Sequence, residues 1–126
     1  MNISWNWIPT LVFAGGAIAF FRFNRSGQIS AKAAAAHLKS GALVIDVRSP
    51  GEFSSGHLTN AINLPLDEIE TALPQRVKDK NQVLLLHCAS GMRSGMAKSK
   101  LKGMGYTNAF NLGSYGRAEE IVGNKN

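Results

Sequence analysis

Cys88 is the only cysteine in the 126-residue chain, and its surroundings suit a nucleophile. A strand-forming run, Val83-Leu84-Leu85-Leu86, leads through His87 into the thiol. A short loop follows, Ala89-Ser90-Gly91-Met92-Arg93, and a helical stretch is expected from Ser94. A thiol placed there lies at the carboxyl end of a buried strand and beneath the amino end of a helix. Backbone N–H groups and the helix dipole then favour the thiolate and make the loop a pocket for negative charge. Gly91 permits the tight curl, because glycine takes positive φ without steric cost.

Other chemistry is restricted by what the chain lacks. One cysteine excludes an intramolecular disulfide, a CxxC redox pair and a cysteine-rich zinc site. His37, His57 and His87 do not fall at metal-ligand spacings, and all three read as surface or capping residues. No metal and no cofactor is expected. The formal net charge of +6 reads as a solvated basic face, with anionic lipid or small anionic substrates as functional alternatives. No nucleic-acid motif accompanies it, so no nucleic-acid partner is expected.

The elements that must position Cys88 follow from short apolar runs. Ser30 is an N-cap for a helix over Ala31 to Ser40, and Gly41 stops it. Strands are expected at Ala42–Ile45, Ala61–Leu64, Val83–His87 and Asn108–Leu112, with a brief one at Gln28–Ile29. Ser49-Pro50-Gly51 is a turn, and Glu52 to Ser55 a helical turn. Asp67 and Glu70 suggest a capped start for a helix over Glu68 to Leu73. Further helices are expected over Gly95 to Lys102 and Ala118 to Val122. Strands alternating with helices imply an α/β fold, a small parallel sheet with helices on both faces. Ligands in such sheets bind beyond the carboxyl ends of the strands, where Asp46 and Cys88 both fall.

Met1 to Phe21 contains no charged side chain. A helix of about 20 residues crosses roughly 30 Å of hydrocarbon, so residues 1–23 read as one hydrophobic transmembrane helix or uncleaved leader ahead of the domain. Trp5 and Trp7 suit one headgroup zone, and Arg22 and Arg25 the cytoplasmic side of the other. That orientation gives a membrane-anchored protein with its domain facing the cytoplasm. The alternative is a signal peptide cleaved near Ala17-Ile18-Ala19, giving a secreted or periplasmic protein. Residues 24–27 read as a linker and 28–126 as the domain.

Several segments fit together in order. They are Asp46-Val47-Arg48, Glu52-Phe53, Gly56-His57-Leu58, Ala61-Ile62-Asn63-Leu64-Pro65, Cys88 to Ser94, and Gly103-Met104-Gly105-Tyr106. In that order they resemble the single-domain form of the rhodanese family of sulfurtransferases, from about Gln28 to Val122. The resemblance implies that Cys88 is the catalytic nucleophile and carries a sulfane sulfur as a persulfide. It implies a small donor such as thiosulfate, a thiol or cyanide acceptor, and a further option of a protein sulfur acceptor. Ala89, Ser90, Gly91, Met92, Arg93 and Ser94 become the substrate-binding loop, and Asp46, Arg48, Glu52 and His57 its structural support. Arg93 either faces the donor or turns back to brace the loop, with Asp46 a candidate partner. An Arg48–Glu52 pair would fasten the turn after the strand. Ser94 is either a hydroxyl donor to the sulfur or an N-cap. Many thiosulfate-using members carry a further cation in the loop, whereas Ala89 and Met92 supply none and Met92 suggests an apolar mouth. Where members often close with Gly-Gly and a tryptophan, this chain has Gly113-Ser114-Tyr115-Gly116.

Two other functions are weighed against sulfur transfer. One is a membrane-tethered sulfur carrier or interaction module with little turnover. The other is a cysteine phosphatase or arsenate reductase. Those use a Cys-x5-Arg cradle wide enough for a tetrahedral oxyanion, and here only four residues separate Cys88 from Arg93.

Overall fold

The computed structural model describes residues 27–123. Four apolar runs form the sheet: β1 (Leu43–Asp46), β2 (Ile62–Asn63), β3 (Leu84–His87) and β4 (Ala109–Gly113). Their order is β2-β1-β3-β4, and every pairing is parallel. Continuous apolar runs, without polar alternation, are what a sheet covered on both faces requires. β3 is buried at every position.

The helices are α1 (Ala31–Lys39), α2 (Pro50–Ser55), α3 (Ile69–Arg76), α4 (Met92–Gly103) and α5 (Tyr115–Ala118), the last running into a π-turn over Glu119–Gly123. They divide between the faces. Ile45, Val47, Leu84, Leu86 and Cys88 pack against Ile69 and Leu73 of α3 and Ala97 and Leu101 of α4. Val44, Leu85 and Leu112 pack against Ala34 of α1 and Ala118 of α5. This alternation follows from the two-residue period of a strand, and each fully buried leucine contributes about 1.5–3 kcal/mol of transfer free energy.

Most elements lie within a residue or two of their sequence expectation, the usual scatter of element ends. Four differences have physical causes. First, α2 begins at Pro50 because the Ser49 hydroxyl accepts from Glu52 N–H while the Glu52 carboxylate accepts from Ser49 N–H. That reciprocal capping box was expected at Asp67 and Glu70 instead, where it does not form. The N-cap of α3 is Glu68, with no side-chain cap. Second, α4 begins at Met92, two residues early, because Gly91 takes the left-handed conformation (φ 98°) and opens the helix itself. Third, the last helix starts at Tyr115, capped by the Ser114 hydroxyl. Fourth, Gln28 makes only an isolated bridge to Asn111 rather than a strand.

One irregularity matters for the site. Leu86 pairs with Asn111, but His87 pairs with Gly113, so Leu112 is skipped. The bulge re-aims the strand end, as bulges do, and Cys88 N–H meets Gly113 O at 3.3 Å.

Among the described residues no helix is long and apolar enough to cross a membrane. The hydrophobic helix expected over residues 1–23 lies outside the described residues, as does most of the 24–27 linker.

Candidate active site

Cys88 leaves β3 at its carboxyl end and is fully buried, while Ala89, Ser90 and Met92 around it are exposed. Its sulfur receives Gly91 N–H at 3.0 Å and Ser94 N–H at 3.4 Å, with Ser94 Oγ at 3.5 Å. Burial pushes the thiol up, but hydrogen bonds from the Ser94 hydroxyl and the N–H groups of Ser94, Gly91 and Ser90 outweigh it and bring it below its usual value. The loop therefore gathers donors on one sulfur atom, an arrangement that stabilises negative charge. Cys88 also belongs to the α3–α4 core. A side chain at the end of a central strand is packed before it is reactive.

Gly91 is the geometric pivot. A Cβ there would lie 3.1 Å from Gln28 Nε2 and 3.4 Å from the Gly113 backbone, on top of its positive φ. Ser94 is not the N-cap. It sits in the first turn of α4, fully buried.

The carboxylates pair differently from the sequence expectation. Asp46, at the end of β1, receives Arg48 Nε at 3.0 Å and Nη2 at 2.8 Å, together with Arg48 N–H at 2.9 Å. Arg48 Nη2 also donates to Gly56 O at 2.7 Å, and the guanidinium lies 4.6 Å from the centre of the Tyr115 ring. Glu52 instead holds Arg93, through Nη1–Oε1 at 2.7 Å and Nη2–Oε2 at 2.9 Å. The Arg48–Glu52 and Arg93–Asp46 pairs are thus corrected to Arg48–Asp46 and Arg93–Glu52. Asp46 is wholly buried at the end of β1, and Arg48, two residues on, folds back to it. Arg93 points from α4 toward the half-exposed start of α2. Hydrogen bonds to the Glu52 carboxylate raise the Arg93 guanidinium against the cost of its burial, and the Cys88 sulfur adds to the rise. His57 is exposed, its Nδ1 2.9 Å from Phe53 O and its ring stacked on Phe53 at 3.8 Å. It fastens its own turn.

His87 is corrected from a surface residue to a buried one. It is fully covered, with Nδ1 3.4 Å from Cys88 O and Nε2 3.7 Å from Asp46 Oδ2. Its ring meets the Tyr115 ring edge-on, with centroids 5.8 Å apart. Tyr115 N–H donates to Ala89 O at 3.2 Å, so the tyrosine that stands in place of a Gly-Gly ending braces the loop from behind. Tyr115 and His87 as supports, and Asn111 beside Ser94, are missed by sequence reasoning. Only the position of His87 next to Cys88 was a signal. A groove of about 410 Å³ runs beside the loop, between the start of α2, Pro65–Glu68 and α4. Arg93 lies on its wall and Cys88 does not.

The Rhodanese-like domain family model matches residues 30–116. The chain belongs to this family. Thiosulfate sulfurtransferase PspE of Escherichia coli (strain K12) is 42% identical over 69 residues, covering 55% of this chain and 66% of that relative. The solved structure described as rhodanese with anions from E. coli has 38% identity and a TM-score of 0.59, covering 61% of this chain and 91% of that one. The human single-domain sulfurtransferase TSTD1 has 29% identity and a TM-score of 0.64, covering 75% and 96%. The chain spans about two thirds or less of the curated relatives it matches. The α/β rhodanese fold is thus common to this chain and its structure relatives.

Proposed function

We propose that this rhodanese-like domain is a sulfurtransferase that works through a persulfide on Cys88. The Cys88 thiolate attacks the outer sulfur of a sulfane donor such as thiosulfate. A new S–S bond forms, the donor's own S–S bond breaks, and sulfite leaves with the electron pair. A thiolate or cyanide then attacks the outer sulfur of the persulfide, and the Cys88 thiolate is released. Two covalent half-reactions predict ping-pong kinetics. The observation that carries this reading is the set of donors on one buried sulfur, with Gly91 N–H at 3.0 Å. The PspE and TSTD1 names support the reaction class. Ala89, Ser90, Gly91, Met92, Arg93 and Ser94 form the substrate-binding loop in this reading.

Arg93 gives both terminal nitrogens to Glu52, which favours bracing over capture of the donor. Met92 is 57% exposed and gives the mouth an apolar side. Both observations favour a second form of the same chemistry, a sulfur carrier that hands its sulfur to a thiol or a protein acceptor with slow thiosulfate turnover. They weigh against a phosphatase, whose arginine must face the bound oxyanion. The uncharged run from Met1 to Phe21 supports a membrane anchor with the domain on the cytoplasmic side.

Intact mass after incubation with thiosulfate tests the reaction. A gain of one sulfur atom on Cys88, removed by cyanide and absent in Cys88→Ser, is the expected result. An unmodified thiol after exposure to every sulfane donor tried would exclude the persulfide route. Deleting residues 1–23 should release the protein from membranes with its sulfur transfer intact. Unchanged membrane association would exclude the anchor.

A further inference from the structure

Ser94 has one hydroxyl proton and three acceptors in reach. Its Oγ lies 2.7 Å from Asn111 Oδ1, 3.2 Å from Gly91 O and 3.5 Å from Cys88 Sγ. A hydroxyl donates one hydrogen bond at a time and accepts with its lone pairs. The contact to Asn111 has the usual length of an O–H···O bond, whereas a neutral thiol sulfur is a weak acceptor. Asn111 therefore takes the proton while Cys88 is a neutral thiol, and a lone pair of Ser94 Oγ is left facing the S–H.

Asn111 is held so that it cannot turn. It is 5% exposed. Its Nδ2 donates to Gly91 O at 3.0 Å, and its Oδ1 also accepts from Gly113 N–H at 2.9 Å. A flipped amide would set two donors and two acceptors against each other, so the network fixes its orientation.

We propose that Asn111 is a positioning residue that acts through Ser94, directing the hydroxyl proton away from the sulfur when Cys88 is a thiol and yielding it when the sulfur is an anion. In the thiol state Cys88 S–H donates to Ser94 Oγ, and Ser94 O–H donates to Asn111 Oδ1. On ionisation the sulfhydryl proton leaves to water. The Ser94 hydroxyl keeps its own proton, turns about its C–O bond and donates to the sulfur. Asn111 Oδ1 keeps Gly113 N–H, so no buried acceptor is left bare. The sulfur rests neutral under cover and gains a further donor when it carries charge. The consequence for turnover rests on the sulfur-transfer reading.

The charged and titratable groups around this network are Arg93 on α4 with Glu52 behind it, His87 on β3, Asp46 and Arg48 at the end of β1, and Tyr115 and Arg117 on α5. None of them changes in the variants below. Cys88 is the only cysteine of the chain, so the pH profile of alkylation by iodoacetamide reads its thiolate fraction alone. In the full-length protein, Asn111→Ala removes the nearer competing acceptor, leaves only the longer contact to Gly91 O at 3.2 Å, and lowers the alkylation midpoint by about half to one pH unit, the size of one net hydrogen bond. In a Ser94→Ala background the same substitution leaves the midpoint in place, because no hydroxyl remains to direct. A packing role alone loosens the amide ring, raises the midpoint, and does so with or without Ser94. Either of those results overturns the proposal.

The infrared S–H stretch of the unmutated protein gives a reading that does not need Asn111→Ala to fold. The proposal requires a band below the position of an unbonded thiol, moving to that position in Ser94→Ala. A band already at the unbonded position overturns it. Both measurements use no sulfur donor, so failure here leaves the persulfide reading standing, and failure to form a persulfide leaves this one.

Discussion

Arg93 and Glu52 lie 41 positions apart and close on each other as a two-pronged pair, at 2.7 and 2.9 Å. The pair ties the helix after β1 to the first turn of the helix that carries the cysteine loop. The same Glu52 carboxylate accepts from Ser49 N–H at 3.2 Å and so closes the cap of α2. Bonds from Arg93 and then Ser49 hold it down to about 2, well below the usual carboxylate range. One acidic group thus fastens both the turn below the site and the helix above it.

Glu52→Gln and Arg93→Ala should each lower the melting temperature, and the double variant should fall by less than the sum. The coupling expected for a half-exposed pair is about 0.2–1 kcal/mol, read from a double-mutant cycle in urea. A bracing role predicts that Arg93→Ala changes the donor KM little. A large rise in KM with unchanged melting would assign Arg93 to the donor instead.

Sulfur transfer should be flat at alkaline pH and fall as acidity protonates Cys88, with its midpoint below about 8.5, the value of an unperturbed thiol. The sign follows from the lowered thiol in the folded protein. Its contribution to stability is fully present above the unfolded value and is lost as pH falls through the folded one. The pH profile of the first half-reaction, monitored by sulfite release, checks the midpoint. A midpoint above that of a free thiol would contradict the amide ring.

Gly91→Ala should abolish sulfur transfer and lower stability. The new Cβ meets Gln28 Nε2 at 3.1 Å, at a φ of 98° that alanine disfavours. Relief by shifting the loop takes the Gly91 N–H away from the sulfur. Adding Gln28→Ala should restore part of the melting temperature but not the activity. Full activity in the single variant would show that the pivot is not needed.

His87 should make the protein acid-sensitive. Burial pushes its imidazole below the usual value, against the pull of Asp46. The unfolded chain then binds a proton more readily than the folded one, so stability falls as pH drops below about 6.5. Urea melts between pH 7.5 and 5 should show the slope, and His87→Phe should flatten it. Glu52 loses its contribution mainly below its unfolded value of about 4.3, and the Cys88 contribution is common to parent and variant, so the difference between the two slopes belongs to the ring. No slope in the parent protein would contradict a buried neutral ring.

The fold was legible because its signals are local. Leu84 to Leu86 and Leu43 to Ile45 are short, apolar and bounded by turn residues. Such runs, alternating with helical stretches, imply parallel strands with helices on both sides. The loop was legible for the same reason. Cys88, Gly91 and Arg93 lie within one turn of chain, and a strand-loop-helix junction determines where its amides point. One place where reading failed was also local in kind. The capping box assigned to Asp67 and Glu70 forms at Ser49 and Glu52, because both places carry the pattern and only the backbone geometry chooses between them.

What the tertiary structure alone decided is which side chains meet. Asp46, Arg48, Glu52 and Arg93 offer more than one set of opposite-charge pairs, and sequence spacing does not rank them. Burial does. Asp46 is enclosed at the end of β1, where Arg48 folds back to it, and Arg93 pairs with the half-exposed Glu52. The bulge at His87, which aligns it with Gly113, likewise accompanies the approach of Asn111 and Tyr115 to the cysteine loop from a strand and helix 17 or more residues later. Hydrophobic periodicity is written along the chain, but partner choice among polar groups depends on distances that exist only after the sheet has closed.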